Sequence, residues 1–173
     1  MKVKYKKLNK LAKEPFKKYP EDFCYDLYAT SREEIMPGVF KYGLGLAFEI
    51  ERDKEPIFVH EIDSEEGTKV VVTDYVYDMR SCPANLSLDF RPRSSIYETG
   101  LILSNCVGSI DELYRGECSA IFYHLMKELP PYEVGDRIVQ CKIGLTLPIK
   151  WEEVKELNET KRGTGGYGST GRK

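Results

Sequence analysis

Large apolar side chains occupy every second position of the segment FKYGLGLAFEI, from Phe40 to Ile50. A period of two is that of an extended strand with one buried face, because successive side chains point to opposite faces. Many short strands with little helical periodicity predict an all-β barrel or sandwich. Further runs of β-branched and aromatic residues, separated by Gly and Pro, are PIFVHEI (56–62), KVVVTDYVYD (69–78), LILSN (101–105) and RIVQCKIGLTL (137–147). The first two of these runs are joined by the polar DSEEGT and predict a hairpin.

The chain of 173 residues is 41% hydrophobic, which is enough for one compact domain with its own core. Its net charge of -2 provides no overall field that attracts DNA or an anionic membrane. Residues 1–18 nevertheless contain eight Lys and one Glu, a local charge of +7 that leaves -9 for the rest. Because few aromatic residues lie among these lysines, we predict a solvated face rather than a nucleic-acid arm. We expect neither a nucleic-acid partner nor a membrane partner.

The five cysteines form no C-x-x-C pair, and the N-terminal segment lacks the apolar stretch of a secretory leader. Free thiols in a reducing cytoplasm are the expectation that follows. The two histidines, His60 and His124, belong to no metal-binding motif. The sequence therefore gives little support to a zinc site or to a histidine-based catalytic triad.

Two segments carry groups that suit an anion. In SSIYETG, Ser95 and Glu98 have capping-box spacing and Gly100 can close the C-terminus, so we predict one short helix that begins just after the arginines of RPR. The C-terminal RGTGGYGSTG (162–171) should be mobile until something orders it, because glycine loses more backbone entropy on ordering than any other residue. Its N–H groups, hydroxyls and guanidinium could bind an anion. A structural turn and a frayed tail are the plainer alternatives.

Five segments, taken in chain order, resemble the five motifs of the trimeric dUTP pyrophosphatases (dUTPases): FCYDLYA, PRSSI, NCVGSIDELYRGE, GDRIVQ and RGTGGYGSTG. The resemblance runs from about Leu8 to Gly171 and is interrupted between residues 51 and 84. It implies an all-β, jelly-roll-like subunit of a homotrimer, with one domain over residues 1–160 and a glycine-rich lid over 161–173. It also implies hydrolysis of dUTP to dUMP and pyrophosphate with Mg²⁺.

The third motif, interpreted as a hairpin, would bind the nucleoside in this family. By resemblance, Asn105 and the backbone of Gly108, Ser109 and Ile110 would pair with the uracil edge. A site of buried donors and acceptors rejects a base with the reversed pattern, because that base leaves them unpaired. Tyr114 would lie against the deoxyribose and leave no room for a 2′-hydroxyl.

Two carboxylates carry the catalytic expectations that the resemblance implies. Asp111 would activate the water that attacks the α-phosphorus and would also hold the sugar 3′-hydroxyl. Asp26 would sit near the metal through hydrogen bonds or water, or would instead brace the barrel as a structural carboxylate. Mg²⁺ would be held mainly by the triphosphate and its own waters, so no direct protein ligand is expected.

The remaining motif residues would bind the phosphates and close the site. Ser94, the Ser95 backbone and Gln140 would contact the α/β region, whereas Arg137 of GDRIVQ is interpreted as structural. Arg93 and Arg162 would pair with the outer phosphates, for which bidentate guanidinium geometry is suited. Tyr167 would stack over the uracil. The other tail residues expected at the substrate are Gly166, Gly168 and Ser169.

Three features depart from the family pattern: Cys24 stands where glycine is usual, Ser109 occupies a commonly apolar position, and residues 51–84 replace a short loop. This insert is either a surface decoration or a regulatory partner's binding element, the latter suggested by its carboxylates at Glu61, Asp63, Glu65, Glu66 and Asp74. The dCTP deaminases share the fold and the Arg-Ser-Ser turn, but SSIYETG lacks their second arginine. A regulatory binding module, with catalysis secondary or lost, is the alternative of another class.

Overall fold

The computed structural model of the protein describes residues 1–52 and 85–166. These residues form ten strands and one short 3₁₀ helix, η1. The elements are β1 (Lys2–Lys7), β2 (Tyr25–Tyr28), β3 (Ser31–Met36), β4 (Val39–Gly43), β5 (Leu46–Glu51), β6 (Asn85–Pro92), η1 (Ser94–Thr99), β7 (Leu101–Leu103), β8 (Gly108–Asp111), β9 (Ser119–His124) and β10 (Arg137–Thr146). The hairpin predicted within 56–78 and the tail residues Tyr167, Gly168 and Ser169 lie outside the described residues.

Hydrogen bonding arranges the described strands into three antiparallel sheets. One four-stranded sheet has the order β2-β10-β6-β8, the other has the order β3-β4-β9-β7, and β1 pairs with β5. Both larger sheets contribute to a single core, with Phe90 and Val139 from the first and Tyr42 and Phe122 from the second. Two antiparallel sheets that share one core form a sandwich, so the prediction of an all-β fold is confirmed.

The longest ladder joins β6 to β10 and shows why these residues form strands. On β6, Leu86, Leu88 and Phe90 are buried, whereas the alternate residues Ser87, Asp89 and Arg91 remain partly exposed. This alternation lets one face of the sheet pack into the core while the other keeps its charged groups in water. The outer face is the one that bears the candidate site.

The segment FKYGLGLAFEI, predicted as one strand, is two strands in different sheets: β4 ends at Gly43 and β5 begins at Leu46. Tyr42, Leu44 and Leu46 are buried as predicted, but Gly43, Gly45 and Ala47 between them are buried too, so the half-buried alternation is wrong over this stretch. The prediction of one continuous strand was also wrong, because Gly45 has a positive φ of 62° that turns the chain from one sheet to the other.

The lysine-rich N-terminus contains a strand that was not predicted. β1 pairs with β5 over six residues, and every side chain of β1 is exposed. Lys4 Nζ lies 3.1 Å from Glu49 Oε1 and 3.4 Å from Glu51 Oε2. The expectation of a solvated basic face agrees with this exposure. The alternation of lysine with Val3 and Tyr5 was the available strand signal.

The predicted short helix exists, but its start differs from the prediction. Arg93, with extended φ and ψ, is the N-cap, and no side chain caps the helix, so the proposed capping box of Ser95 and Glu98 is wrong. Glu98 instead accepts a hydrogen bond from the Tyr97 hydroxyl at 2.8 Å. Gly100 closes the C-terminus in the left-handed conformation, with φ of 64°, as expected.

The hairpin predicted for NCVGSIDELYRGE is also wrong in its pairing. β8 pairs with β6, while β9 belongs to the opposite sheet between β4 and β7. Residues 112–118 therefore connect the two sheets instead of closing a hairpin. This connection places Asp111 at an outer strand of the sandwich.

Beyond β10, residues 147–166 contain no strand. All of them are exposed to solvent except Gly165, which is partly buried. Large apolar side chains stand exposed along this arm, which we define as residues 147–166. They are Leu147, Ile149, Trp151, Val154 and Leu157. Within the described residues, no helix is long and apolar enough to traverse a bilayer.

Replacing Gly45 with alanine should destabilise the fold by about 1–3 kcal/mol, because an L side chain is strained at this φ. The added Cβ would also lie 2.6 Å from Asn9 Nδ2 and 3.0 Å from the Thr30 side chain. Gly135→Ala is the matched control, since Gly135 also has a positive φ but no neighbour within 4 Å of a Cβ. Denaturant unfolding should show the larger loss for Gly45→Ala. Equal losses would show that backbone conformation alone matters at the crossing.

Candidate active site

Asp26 of β2 is held between two arginines. Arg93 Nε donates to Asp26 Oδ1 at 3.0 Å, and Arg137 Nη1 donates to Asp26 Oδ2 at 3.0 Å. Arg93 Nη1 also donates to the Ser95 hydroxyl and to the Arg137 carbonyl, both at 3.3 Å. With both oxygen atoms engaged, Asp26 fixes the direction of two guanidinium groups. The interpretation of Arg137 as structural agrees with this contact.

The strand register extends this arrangement into a row across three strands. Asp26 on β2 lies opposite Gln140 on β10, which lies opposite Arg91 on β6. Directly opposed residues of neighbouring strands share a face of the sheet, so the three side chains lie side by side. Gln140 Nε2 donates to the Pro92 carbonyl at 2.9 Å, which holds its amide in place. We call Asp26, Arg91, Arg93, Arg137 and Gln140 the arginine cluster.

A cavity of about 510 Å³ opens beside the arginine cluster, and Ser94 also lies on its wall. The cavity therefore joins four residues that were predicted at or near the phosphates: Asp26, Arg93, Ser94 and Gln140. Four cationic side chains and two carboxylates line it, a net charge of +2. The cations are Lys18, Arg91, Arg93 and Arg137, and the carboxylates are Asp22 and Asp26. Such a surplus favours a polyanion.

Arg91 is the member of this cluster that sequence reasoning missed. Its Nε is buried and has no hydrogen-bond partner among the described residues. A buried donor without a partner is costly, so the site is incomplete until an acceptor arrives. The available signal was the alternation of Ser87, Asp89 and Arg91 along the outer face of β6.

The third-motif residues form a second, smaller cavity of about 160 Å³ around the end of β8. We call Ser109, Ile110, Asp111 and Tyr114, which line it, the aspartate cluster. Asp111 is exposed to solvent, so water can reach its carboxylate. The Tyr114 hydroxyl donates to the Glu117 carbonyl at 3.1 Å, which holds the ring across the turn. A Cβ on Gly116 would lie 2.6 Å from the ring, so this placement depends on glycine there.

Asn105 and Gly108 lie beside the aspartate cluster but do not line its cavity. A Cβ on Gly108 would lie 3.1 Å from Asn105 Nδ2, so the side chain of Asn105 rests close to the Gly108 backbone. Ser109 donates from its hydroxyl to Asp89 Oδ1 at 3.0 Å. This contact gives the serine, which replaces a commonly apolar residue, a partner within the sheet.

Cys118 also lines the smaller cavity, yet it is unsuited to nucleophilic attack. Burial, followed by the nearby Glu117 carboxylate, raises the pKa of this thiol to about 11. At neutral pH the group is a thiol, whereas the thiolate is the reactive form. The carboxylates that line this cavity are Asp111 and Glu117, and Glu117 Oε1 already accepts a hydrogen bond from the Gly45 N–H at 2.9 Å.

The two cavities are separate on a single chain. The cavities share no lining residue. β8 and β2 are the two edges of one sheet, and Asp111 pairs with Ser87, four residues from Arg91 along β6. Standard strand spacing and rise place the Cα atoms of Asp26 and Asp111 about 20 Å apart. Arg162 and Gly166, the described tail residues that were predicted at the substrate, line neither cavity.

A search of the described residues for clustered metal ligands finds no group of three or more His, Cys, Asp or Glu side chains that could hold an ion. The carboxylates nearest the arginine cluster have other partners. Asp26 binds two arginines, and Asp22 accepts a hydrogen bond from the Tyr19 N–H at 3.0 Å. Any divalent ion at this cavity would need oxygen ligands from the bound anion or from water.

Comparison with known proteins decides the family. A family model described as dUTPase matches residues 61–171. The deoxyuridine 5′-triphosphate nucleotidohydrolase of Nautilia profundicola is 33% identical over 174 residues, which cover 99% of this chain and 100% of that protein. The chain belongs to the dUTPase family. The resemblance drawn from five ordered motifs is thereby confirmed.

Other dUTPases match this one over part of its length or in fold. The deoxyuridine 5′-triphosphate nucleotidohydrolase of Clostridium novyi is 44% identical over 90 residues, covering 51% of this chain and 63% of that protein. The dUTPase of Staphylococcus bacteriophage 80alpha, solved with dUPNHPP, superposes with a TM-score of 0.62 at 19% identity and 98% coverage of both chains. A mutant dUTPase of phage phi11 of S. aureus, described with a structural Mg(II) ion, has a TM-score of 0.59 at 15% identity, covering 90% of this chain and 98% of that one. The structural likeness establishes the shared jelly-roll-like fold.

Replacing Arg91 with methionine should weaken binding of inorganic pyrophosphate about fivefold, because a charge-assisted hydrogen bond is lost. Methionine retains the apolar stem, so the sheet should stay packed. Arg32→Met is the control, since Arg32 pairs with Glu133 in the other sheet. Titration calorimetry measures both. Unchanged pyrophosphate affinity in Arg91→Met would show that Arg91 does not bind the anion.

Proposed function

We propose that this dUTPase-family protein hydrolyses dUTP to dUMP and pyrophosphate. The observation that carries the proposal is the match along the whole chain to a deoxyuridine 5′-triphosphate nucleotidohydrolase. Two features of the structure support the proposal. One cavity is cationic and suits the triphosphate, and the second cavity is lined by Asp111, a solvent-exposed carboxylate. Ammonia release by a dCTP deaminase-type reaction is not favoured, because the chain matches dUTPases by family model and by relatives.

In this proposal Asp111 acts as the general base. Its carboxylate accepts a proton from a water molecule as the water oxygen attacks the α-phosphorus. The bond from the α-phosphorus to the bridging oxygen then breaks, and pyrophosphate leaves with the electron pair. Arg93, Ser94, Ser95 and Gln140 stabilise the charge that spreads over the phosphoryl oxygens. Asp26, with both oxygens engaged by arginines, contributes by orienting Arg93.

The aspartate cluster selects the nucleoside. The Asn105 side chain and the backbone from Gly108 to Ile110 pair with the uracil edge, and the closeness of Asn105 to Gly108 supports their joint action. Tyr114, held by its bond to Glu117, forms a wall against the deoxyribose. A Tyr114 ring held in place distinguishes dUTP from UTP better than a mobile ring would. The 2′-hydroxyl of UTP could displace the ring only by breaking the hydrogen bond from Tyr114 to Glu117.

The residues of the arginine cluster fit Mg²⁺ that arrives with the substrate. The carboxylates that line the cavity, Asp22 and Asp26, already accept hydrogen bonds, which leaves the phosphates and water as the main ligands. When bound, Mg²⁺ supplies neutralisation of phosphate charge. The guanidinium groups of Arg91 and Arg93 then need to complement only the remaining charge.

We propose that the active unit is a homotrimer in which each site takes its two clusters from different chains. Two observations support this. The two cavities share no lining residue, and the Cα atoms of Asp26 and Asp111 lie about 20 Å apart on one chain by strand geometry. The arm of residues 147–166 exposes Trp151 and Leu157, each to 87%, as expected for a segment that packs on a neighbouring chain.

Residues 161–173 are proposed to close over the bound nucleotide, as a lid on the domain formed by residues 1–160. The described start of this segment is largely exposed, and among the described residues Arg162 Nε donates to the Gly165 carbonyl of its own turn at 2.9 Å. That bond is weak enough to exchange for a phosphate, which binds a guanidinium more strongly than a neutral carbonyl does. Gly166, Tyr167, Gly168 and Ser169 would complete the lid.

The insert and the compartment remain predictions. A regulatory partner at residues 51–84 stays a hypothesis that rests on the acidic sequence of the insert. A cytoplasmic location is proposed from the free thiols of Cys24, Cys106, Cys118 and Cys141.

Asp111→Asn should lower kcat for dUTP hydrolysis by about 1,000-fold, because the amide keeps the shape but cannot take the proton. Affinity for a non-hydrolysable dUTP analogue should change little. Asp136→Asn serves as control, since Asp136 accepts a bond from the Glu133 N–H outside both clusters. Pyrophosphate release measures the rate. Near-normal turnover by a folded Asp111→Asn protein would overturn the assignment.

Tyr114→Ala should reduce the preference for dUTP over UTP by about tenfold or more, because the wall against the 2′-hydroxyl is removed. Tyr114→Phe is the matched control that keeps the ring and removes only the hydroxyl. The measurement is the ratio of kcat/KM for the two nucleotides. A ratio unchanged in Tyr114→Ala would place sugar selection elsewhere.

A further inference from the structure

Glu112, the residue directly after Asp111, contacts described residues on both sides of the span 53–84. Arg52 Nε donates to Glu112 Oε1 at 2.9 Å, and Arg52 Nη2 donates to Glu112 Oε2 at 2.6 Å. The backbone N–H of Leu86 donates to Glu112 Oε2 at 3.3 Å. Arg52 follows β5, and Leu86 is the second residue of β6. One carboxylate therefore joins the end of β5, the start of β6 and the end of β8.

This ion pair is stronger than the pairs on the protein surface. The side chains of Arg52 and Glu112 are 18% and 23% exposed, whereas those of Lys4 and Glu49 are 49% and 46% exposed. Two parallel N–H···O bonds from a guanidinium fix orientation as well as distance, and solvent screens a sheltered pair less. The hydrogen bond from Arg52 is the main cause that lowers the pKa of Glu112, so the carboxylate stays ionised at neutral pH.

The backbone of Glu112 is held as firmly as its side chain. Arg115 Nη1 donates to the Glu112 carbonyl at 2.6 Å, and the Tyr114 N–H donates to the Asp111 carbonyl at 3.0 Å. Asp111 itself pairs with Ser87, the neighbour of Leu86 on β6. A displacement of the Glu112 side chain would therefore be passed to the backbone of Asp111 and to the turn that carries Tyr114.

We propose that Glu112, clamped by Arg52, is a positioning residue that sets the direction of the Asp111 carboxylate. The proposal rests on the proposed function of Asp111 as the general base. It also makes the Arg52–Glu112 pair the link between the ends of span 53–84 and the chemistry, so that displacing Arg52 slows hydrolysis without removing a substrate contact. Proton transfer to Asp111 needs a carboxylate aimed at the water within a fraction of an ångström, which explains why such a clamp matters.

The test is a double-mutant cycle of Glu112→Ala and Arg52→Met on the full-length protein. Each single variant should lower kcat for dUTP about 10-fold and change KM less than about twofold, because ground-state contacts remain. The double variant should be no slower than either single variant, because both remove the same clamp. Glu112→Gln, whose single amide oxygen can accept from Arg52 Nη2 and Leu86 but whose NH2 group faces the Arg52 Nε donor, should recover only part of the rate. Lys4→Met, which breaks a surface pair on the same strand pair as Arg52, is the control and should leave kcat unchanged.

A second readout does not depend on turnover. Amide hydrogen exchange over residues 108–117 should be faster in Glu112→Ala than in the wild type and the Lys4→Met control, with exchange in β9 unchanged. Glu112→Gln and Arg52→Lys give the same comparison if the larger truncations fail to fold. An active wild type whose Glu112→Ala and Arg52→Met variants keep kcat within about twofold would overturn the positioning role. A wild type that fails to hydrolyse dUTP would instead overturn the proposed function, and unchanged exchange in that case would also exclude the clamp.

Discussion

The register of the β6–β10 ladder is the constraint on which the rest of the site depends. Eight residue pairs, from Val139 with Pro92 to Thr146 with Asn85, fix which side chains face the core. A slip of one residue would turn Leu88 and Phe90 outward and bury Asp89 and Arg91, at the cost of uncompensated charge in the interior. The core therefore enforces the outward placement of the arginine cluster.

Within the arginine cluster, Asp26 holds the neighbouring guanidinium groups in place, and both of its oxygens already accept hydrogen bonds. Its two oxygens are shared between Arg93 and Arg137, so the guanidinium groups are aligned before any anion arrives. Pre-aligned donors need little reorganisation when negative charge develops, which is the main electrostatic advantage of such a site. The same logic applies to Asp111 at the far edge of the sheet, where Glu112 and Arg52 supply the alignment.

Features set by residues close together in the chain could be predicted from the sequence, whereas features set by residues far apart in the chain could not. Local patterns were sufficient for the strand content, and ordered motifs located Asp26, Arg93 and Asp111. The pairing of β8 with β6 could not be read, because a short motif carries no information about which distant strand it joins. Gly45 falls within the alternating pattern that predicted a single strand, although its positive φ turns the chain between two strands. Glu112 was missed because its partner Arg52 is 60 residues away in the chain.

The division of the site between chains is the central claim, and subunit mixing tests it most directly. Asp111→Asn and Arg93→Ala proteins, each inactive as a homotrimer, would be unfolded together in equal amounts and refolded. If each site combines an Asp111 from one chain with an Arg93 from another, about a quarter of the sites contain both native residues, and activity should return to about that fraction of wild type. If both residues act within one chain, every site keeps one defect. Mixed trimers without restored activity would contradict the account.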